Sequence, residues 1–527
     1  MREGQQLAQA LTYLKGMPLR FVYVMLNDLN LWDVVSSKTK DLVSKDKSAH
    51  FYKWMQREAE KLQGIKDSEL QLDLLLQLSR VLKLAGRSYH NSYEIEKQCA
   101  DITAEVFKQL QKKHKSFAAV YDQSYSKNKL EFIIHWEMAE MYTHLIEQRK
   151  DSENDSSSAV WLDEIISFLQ ELPDYQQEQI KQSLHLSGWS KAELTAALQQ
   201  DAFGTFTAIA ERAGFRFYKV LLQGYSNQSD ANDLPSDDVA YFSWMANPNL
   251  LLSLIFKSGG ILYRYQNLLF NKGLLPIVLL EAALPYLSES EEDFDQGKYL
   301  EEMVLVWESR FEQYRLMLRK VNELVIQGND WKETLERLHQ EKKKMESEAY
   351  QTNVYHQQLL QRLTQLLKRD PERPYFGELS VKNNRLQESL MKVTAKLDRE
   401  ASAKRGVVGR ISSFVKSSYY HTEKVQLEKK IEKVFQEMNS LVLEKYQDYE
   451  PELVEKINET GGNLQKIQDE MQNLDEEITA YEEKLREAAD QEKEVRSQIT
   501  EAEKRTYGLS EVYEIEMEKK AVHSAEE

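Results

Sequence analysis

Apolar residues recur at alternating steps of three and four along the last part of the chain. From Leu464 the step passes through Ile467, Met471, Leu474, Ile478, Tyr481, Leu485 and Ala488, all apolar. It continues through Glu492, Val495, Ile499, Ala502, Thr506 and Leu509, where only Glu492 and Thr506 are polar. Nearly everything between these positions is charged or amide. The repeat predicts a long helix whose apolar strip is too narrow to bury itself and therefore needs a partner helix. A second strip follows the same step from Val321 through Leu324, Gly328, Trp331, Leu335, Leu338, Lys342, Met345, Ala349, Thr352, His356, Leu359 and Leu363 to Leu366, weak in its middle and strong at both ends.

Prolines and glycines cut this half of the chain into lengths that fold back. Pro371 and Pro374 stop the first helix and allow a reversal. Leu386, Leu390, Val393 and Leu397 begin a return helix. Leu427, Ile431, Val434, Met438 and Leu441 mark a further segment ended by Pro451, and Gly461-Gly462 reads as a hinge or frayed turn between Ile457 and Leu464. Antiparallel pairing within one chain and pairing between chains both fit this pattern.

The earlier part carries broader apolar faces. Leu7, Leu11 and Leu14, then Leu19, Val22, Leu26 and Leu29, recur at helical spacing, and Leu70, Leu74, Leu78, Val81 and Leu82 form a face wide enough for a core. Asp67-Ser68 reads as a helix start. The helix from Tyr93 to Leu110 ends in Lys112-Lys113-His114-Lys115, for which a solvated helix end is expected. The serine-rich stretch 151–158 reads as a linker and the acidic stretch 288–295 as a second boundary. The expected organisation is a helical domain over 1–150, an apolar-rich helical domain over 159–287, and a coiled-coil region over 300–527 broken near 371–374, 404–421 and 451. The fold class is all-α: helical globular N-terminal units followed by long antiparallel or oligomeric coiled-coil helices.

Composition supports long helices. Of 527 residues 29% are charged and 41% hydrophobic, with only 19 Gly and 9 Pro. The net charge of −17 gives no dominant basic face for a nucleic-acid backbone. The single cysteine, Cys99, excludes an internal disulfide and favours a reducing, cytoplasmic setting. No signal peptide is visible. The most apolar region, Leu250 to Leu287, is interrupted by Lys257, Gly259, Gly260, Arg264, Lys272, Pro276 and Pro285. Its longest charge-free piece, Gly273 to Leu280, is far shorter than the ~20 residues of a membrane span, so core helices are expected there.

One stretch stands out chemically. Lys404 to Tyr420 contains no acidic residue, and Val407, Val408, Ile411, Phe414, Val415 and Tyr419 share a helical face. Lys404, Arg405, Arg410 and Lys416 flank that face with positive charge, a pattern suited to an anionic membrane surface or to docking on a protein partner. His135, Glu137, Glu140 and His144 form the one metal-like grouping, but their spacing lacks the paired Glu-x-x-His of di-iron bundles. Glu336 and His339 have that spacing without a second copy. No metal, no cofactor and no catalytic residue is expected, because no phosphate-cradling glycine loop, Gly-x-Ser-x-Gly or His-Glu-x-x-His occurs. Cys99, between Ile95 and Ile102, reads as a buried structural thiol.

From 159 onward, Trp161, Ile165 and Leu169 lie on a helix closed by Pro173, and Ser190-Lys191-Ala192-Glu193 is a capping box. A run of small and aromatic residues comes next, from Ala202 to Phe217. The order Leu172-Pro173, Gln179, Leu184, Gly188, Leu198, Ala213-Gly214-Phe215 and Tyr218 resembles the YaaW-like family of uncharacterised helical bacterial proteins. The resemblance covers 172–218. It implies an α-helical bacterial protein and transfers no catalytic residue.

Together these features point to a non-enzymatic scaffold or adaptor. It would act through coiled-coil assembly with itself or a protein partner, and its basic stretch would either pack on the helical domains or a partner or meet a membrane surface. The alternative is a membrane-active effector whose apolar helices, 250–287 or 202–217, insert after rearrangement.

Overall fold

Leu7, Leu11 and Leu14 face inward because α1 (Arg2–Tyr13) lies against several helices at once. The structure is a computed structural model and describes residues 2–29, 49–124, 127–150, 158–226, 251, 254–255, 266–288, 296–367, 375–401, 407–445 and 450–526. Among the described residues all regular structure is helical and no strand occurs. The chain divides into two units, one of residues 1–319 with 495–527 and one of residues 320–494.

The first unit continues with α2 (Gly16–Asn27), α3 (Ala49–Glu60), α4 (Asp67–Leu82), α5 (Ser92–Lys113), α6 (Lys115–Gln123) and α7 (Lys129–Lys150). α4 is buried on nearly all sides: Leu70, Leu72, Leu74, Leu75, Leu76 and Leu78 are at most 1% exposed. α1 crosses α5 at Gly4, where an added Cβ would stand 2.2 Å from the Glu96 carbonyl oxygen. Polar side chains tie the helix ends together. Gln71 Nε2 donates to the carbonyls of Thr12 (3.2 Å) and Leu14 (2.9 Å) at the end of α1. Asp67 does start α4, yet its carboxylate accepts from the Gly16 amide (2.9 Å) and from Arg20 (2.8 Å), so it caps α2 instead. Arg20 also donates to the carbonyls of Gly16, Leu62 and Ile65, which satisfies a nearly buried guanidinium.

Beyond them lies a group of short helices: α8 (Ser158–Glu171), α9 (Asp174–Leu184), α10 (Lys191–Gln200), α11 (Ala202–Ala213) and α12 (Arg216–Ser226). The capping box forms at α10. Ser190 Oγ accepts from the Glu193 amide (3.2 Å), and the Glu193 carboxylate accepts from the Ser190 hydroxyl and the Ser187 amide. Hydrogen bonds from the Ser187 hydroxyl first, then from the Ser190 hydroxyl and the Ser187 amide, hold the Glu193 carboxyl at a pKa of about 2. Gly214 joins α11 to α12 at φ +76°, which favours glycine.

α13 (Gln266–Leu287) runs through Pro276 and Pro285, which by sequence look like interruptions. Leu274, Leu275, Ile277, Val278, Leu279, Leu280, Ala282 and Ala283 are at most 1% exposed. That burial outweighs the ~3 kcal/mol an internal proline costs a helix. A helix apolar all round needs neighbours all round. α13 accordingly packs on α1, α2, α4 and α7. The described residues of 1–150 and 272–287 thus share one unit.

α14 (Gln296–Leu367) contributes its first part to this unit, and the end of α17 (Pro451–Arg505) and α18 (Leu509–Glu526) complete it. Trp307 is fully buried against Tyr89. Arg310 pairs with Asp73, both nearly buried, and with Glu69, which also receives Arg505 at 3.1 Å. Tyr507 donates to the Leu84 carbonyl at 2.8 Å, and Glu511 accepts from the Gly86 amide at 2.9 Å. Gly508, at φ +86°, passes so close to Gly86 that an added Cβ would lie 2.8 Å from the Gly86 Cα. The last residues of the expected coiled-coil region are therefore built into the N-terminal core.

The second unit holds the rest of α14 and α17 with α15 (Tyr375–Ala401) and α16 (Val407–Lys445). α17 begins at Pro451, where a missing amide is harmless. It continues unbroken through Gly461-Gly462, so no hinge lies there. Ile457, Thr460 and Leu464 are buried on either side, which offsets the ~1 kcal/mol penalty of each glycine.

Candidate functional site

The narrow strip on α17 meets a strip on α14 of the same chain. Leu335, Leu338 and Ile478 form a buried cluster, with Leu474, Tyr481 and Leu485 packed against it. Gly328 lies opposite Leu485, whose Cδ2 would stand 3.9 Å from an added Cβ, Lys342 pairs with Asp475, and His356 meets Thr460. Residue numbers rise along α14 as they fall along α17, so the two helices are antiparallel. Leu464, Ile467 and Ile478 are buried, whereas Met471, Leu474, Tyr481 and Leu485 are half-buried. Two helices cover a strip from one side only, which leaves its flanks partly wet.

The weak middle of the α14 strip has a physical use. Lys342 occupies a strip position, and its ammonium reaches Asp475 on α17. A charge there matches one alignment of the two helices and mismatches its neighbours. Leu366, the last residue of the strip, is 38% exposed and lies off the buried face.

At one end of this unit four helices meet. Leu359, Leu360 and Leu363 of α14, Leu379 of α15, Val434 and Met438 of α16, and Leu453, Val454 and Ile457 of α17 form one apolar cluster, joined by Leu386, Phe435 and Leu441. His356 enters this core, completely buried, with its ring 4.3 Å from that of Phe435. Burial pushes its imidazole down to a pKa of about 4.

Within the basic stretch, Lys404 and Arg405 lie outside the described residues, as do the side chains of Val407, Val408, Arg410, Ile411, Phe414, Val415 and Lys416. The backbone from Val407 belongs to α16, a helix of 39 residues, so this stretch opens a long helix rather than forming a short one.

The first unit holds a cleft of about 610 Å³ where the start of α1, the start of α7 and the α11–α12 junction converge; Glu3, Asn128, Glu131, His135, Glu211 and Phe215 are among its lining residues. His135 is nearly buried. Its Nδ1 lies 2.9 Å from the Tyr218 hydroxyl, and its ring stacks on Phe215 at 4.5 Å. Desolvation pushes His135 down to a pKa of about 3, so it is neutral at ordinary pH. Among the described residues no three His, Cys, Asp or Glu side chains gather as a metal site. His135 is committed to Tyr218 and Phe215 instead. Cys99 is fully buried, and burial pushes its thiol far above the usual range.

Two placements differ from what the sequence predicts. Lys113 is not simply solvated: its Nζ donates to the carbonyls of Ile255 (3.0 Å) and Leu254 (3.3 Å). Asn383, on the face of α15 that carries Leu379 and Leu386, is completely buried, which sequence reasoning missed; its spacing from those leucines was the available signal.

No protein-family model, curated protein or solved structure matches this chain. Among the described residues, no helix is long and apolar enough to cross a membrane.

Proposed function

We propose that this protein is a non-enzymatic scaffold or adaptor that acts through coiled-coil helix pairing and contacts an anionic membrane surface through the basic stretch 404–416. The observation that carries the reading is the antiparallel match of α14 and α17 at Leu335, Leu338, Lys342, Ile478 and Asp475. A helix pair of this length exposes mostly charged surface and supplies little enclosed space for chemistry. It suits holding other molecules at a distance or presenting a helical face to them.

Co-sedimentation with phosphatidylserine-containing vesicles tests the membrane contact. The wild-type chain is expected to pellet and the Phe414→Asp variant to stay in solution; equal pelleting of both removes that part of the proposal. Light scattering over a concentration series tests assembly. A mass that rises with concentration, and that Ile478→Asp lowers, supports self-association through the pair. A single-chain mass throughout confines the pairing to one molecule and leaves a different protein as the partner.

A further inference from the structure

Five buried polar atoms on α14 and α15 have no hydrogen-bond partner among the described residues: His356 Nε2, Gln357 Nε2, Asn383 Nδ2 and Oδ1, and Gln387 Nε2. His356 and Asn383 are completely buried. His356, against the Phe435 ring, and Asn383, on the α15 face that carries Leu379 and Leu386, belong to the end of the second unit where four helices meet. His356 stands one turn before Leu359 and Leu360. Asn383 lies one turn from Leu379 and one from Leu386, on the face those leucines turn into the core. Such groups lose water on docking and gain no bond in return, and most native cores avoid them. Leucine at position 383 would extend the apolar face of α15 without interruption.

The helices also differ in how closely they approach. The backbones of α15 and α16 run close together over much of their length, and neither makes a comparable approach to α14 or α17. Among the described residues of this unit, α15 and α16 are the one pair whose backbones approach so closely; α14 and α17 meet through longer side chains. The docking of α15 and α16 rests on a patch that joins apolar contacts to unmet polar groups.

We propose that the α15–α16 pair is a releasable arm, docked on α14 and α17 through the Leu359–Leu379–Val434–Leu453 cluster and eased off by the buried polar atoms around His356 and Asn383. Opening returns these amides and the imidazole to water. It also uncovers two apolar strips, one with Leu359, Leu363 and Ile457 and one with Leu379, Val434 and Met438. The inference concerns motion within one unit and does not rest on the scaffold reading.

Thiol labelling of the full chain tests it. Asn383→Cys places a thiol at a fully buried position, and buried Cys99 serves as an internal reference in the other unit. The introduced thiol is expected to react while Cys99 stays protected, with a rate that depends only weakly on urea, as local opening does. Adding His356→Leu with Thr460→Val replaces the polar pair by apolar groups and is expected to slow that labelling roughly tenfold. Labelling with the steep urea dependence of global unfolding overturns the proposal. So does labelling that stays unchanged or becomes faster in the combined variant. The urea dependence of the single variant reads the opening even where the combined variant folds poorly.

Discussion

His356 Nδ1 lies 2.6 Å from Thr460 Oγ1, inside the core where α14 and α17 pass each other. Thr460 has one hydroxyl proton, and backbone carbonyls lie at 2.8 Å (Lys456) and 3.0 Å (Ile457) to receive it. The hydroxyl oxygen then accepts from His356, which places the imidazole proton on Nδ1 and leaves Nε2 as a buried acceptor. One histidine thereby links the alignment of two helices to the protonation state of a ring that cannot easily carry charge.

That linkage makes stability depend on pH. The folded-state pKa of His356, about 4, is below its ordinary value of 6.5. The unfolded chain therefore binds the proton more readily, and stability falls as pH drops from about 6.5 towards 4. The full effect of this group is roughly 3 kcal/mol below that window. Urea denaturation followed by circular dichroism between pH 7 and 4 is expected to show the decline. His356→Leu should flatten the part that comes from the second unit. His135, held near 3, adds a decline of the same sign in the first.

Arg310 and Asp73 form a nearly buried ion pair in the first unit. Arg310→Met leaves the Asp73 charge without its main partner and is expected to cost about 3–5 kcal/mol. The double change with Asp73→Asn should recover most of that loss. Calorimetry on both single variants and the double measures the coupling, and a double loss equal to the sum of the single losses would mean the pair is not coupled.

Gly4→Ala addresses the crossing of α1 and α5. The added methyl would stand 2.2 Å from the Glu96 carbonyl and 2.8 Å from the Ala100 Cβ. Separating the helices to relieve it should cost about 1–3 kcal/mol. A thermal melt unchanged from wild type would show that the crossing yields freely.

Ile478→Asp places a carboxylate in the α14–α17 cluster beside Leu335 and Leu338. A loss of about 2–4 kcal/mol is expected, together with faster proteolysis of the paired stretches. Exchanging Lys342 and Asp475 should change stability by less than ~1 kcal/mol, since that pair is partly exposed. Proteolysis rates of the two variants, compared side by side, separate the apolar from the ionic contribution.

Helical periodicity was legible because it is local. The strip from Val321 to Leu363 reappears with each of its positions buried or half-buried. The Ser190–Glu193 box formed as its spacing implies, since both partners sit within one turn. The prolines of α13 and the glycines of α17 misled because their penalties are local and small, whereas the burial that overrides them is collective.

The sequence by itself determined that the chain is helical and which faces of its long helices must be covered, for apolar spacing is a property of neighbouring residues. Only the tertiary structure decided what covers them. It gave α17 a partner in α14, sent residues 495–527 back to the N-terminal core, and buried the polar residues His356 and Asn383 beside apolar neighbours. Those choices join residues hundreds of positions apart. They depend on summed contact and charge matching across helices, which no short stretch encodes.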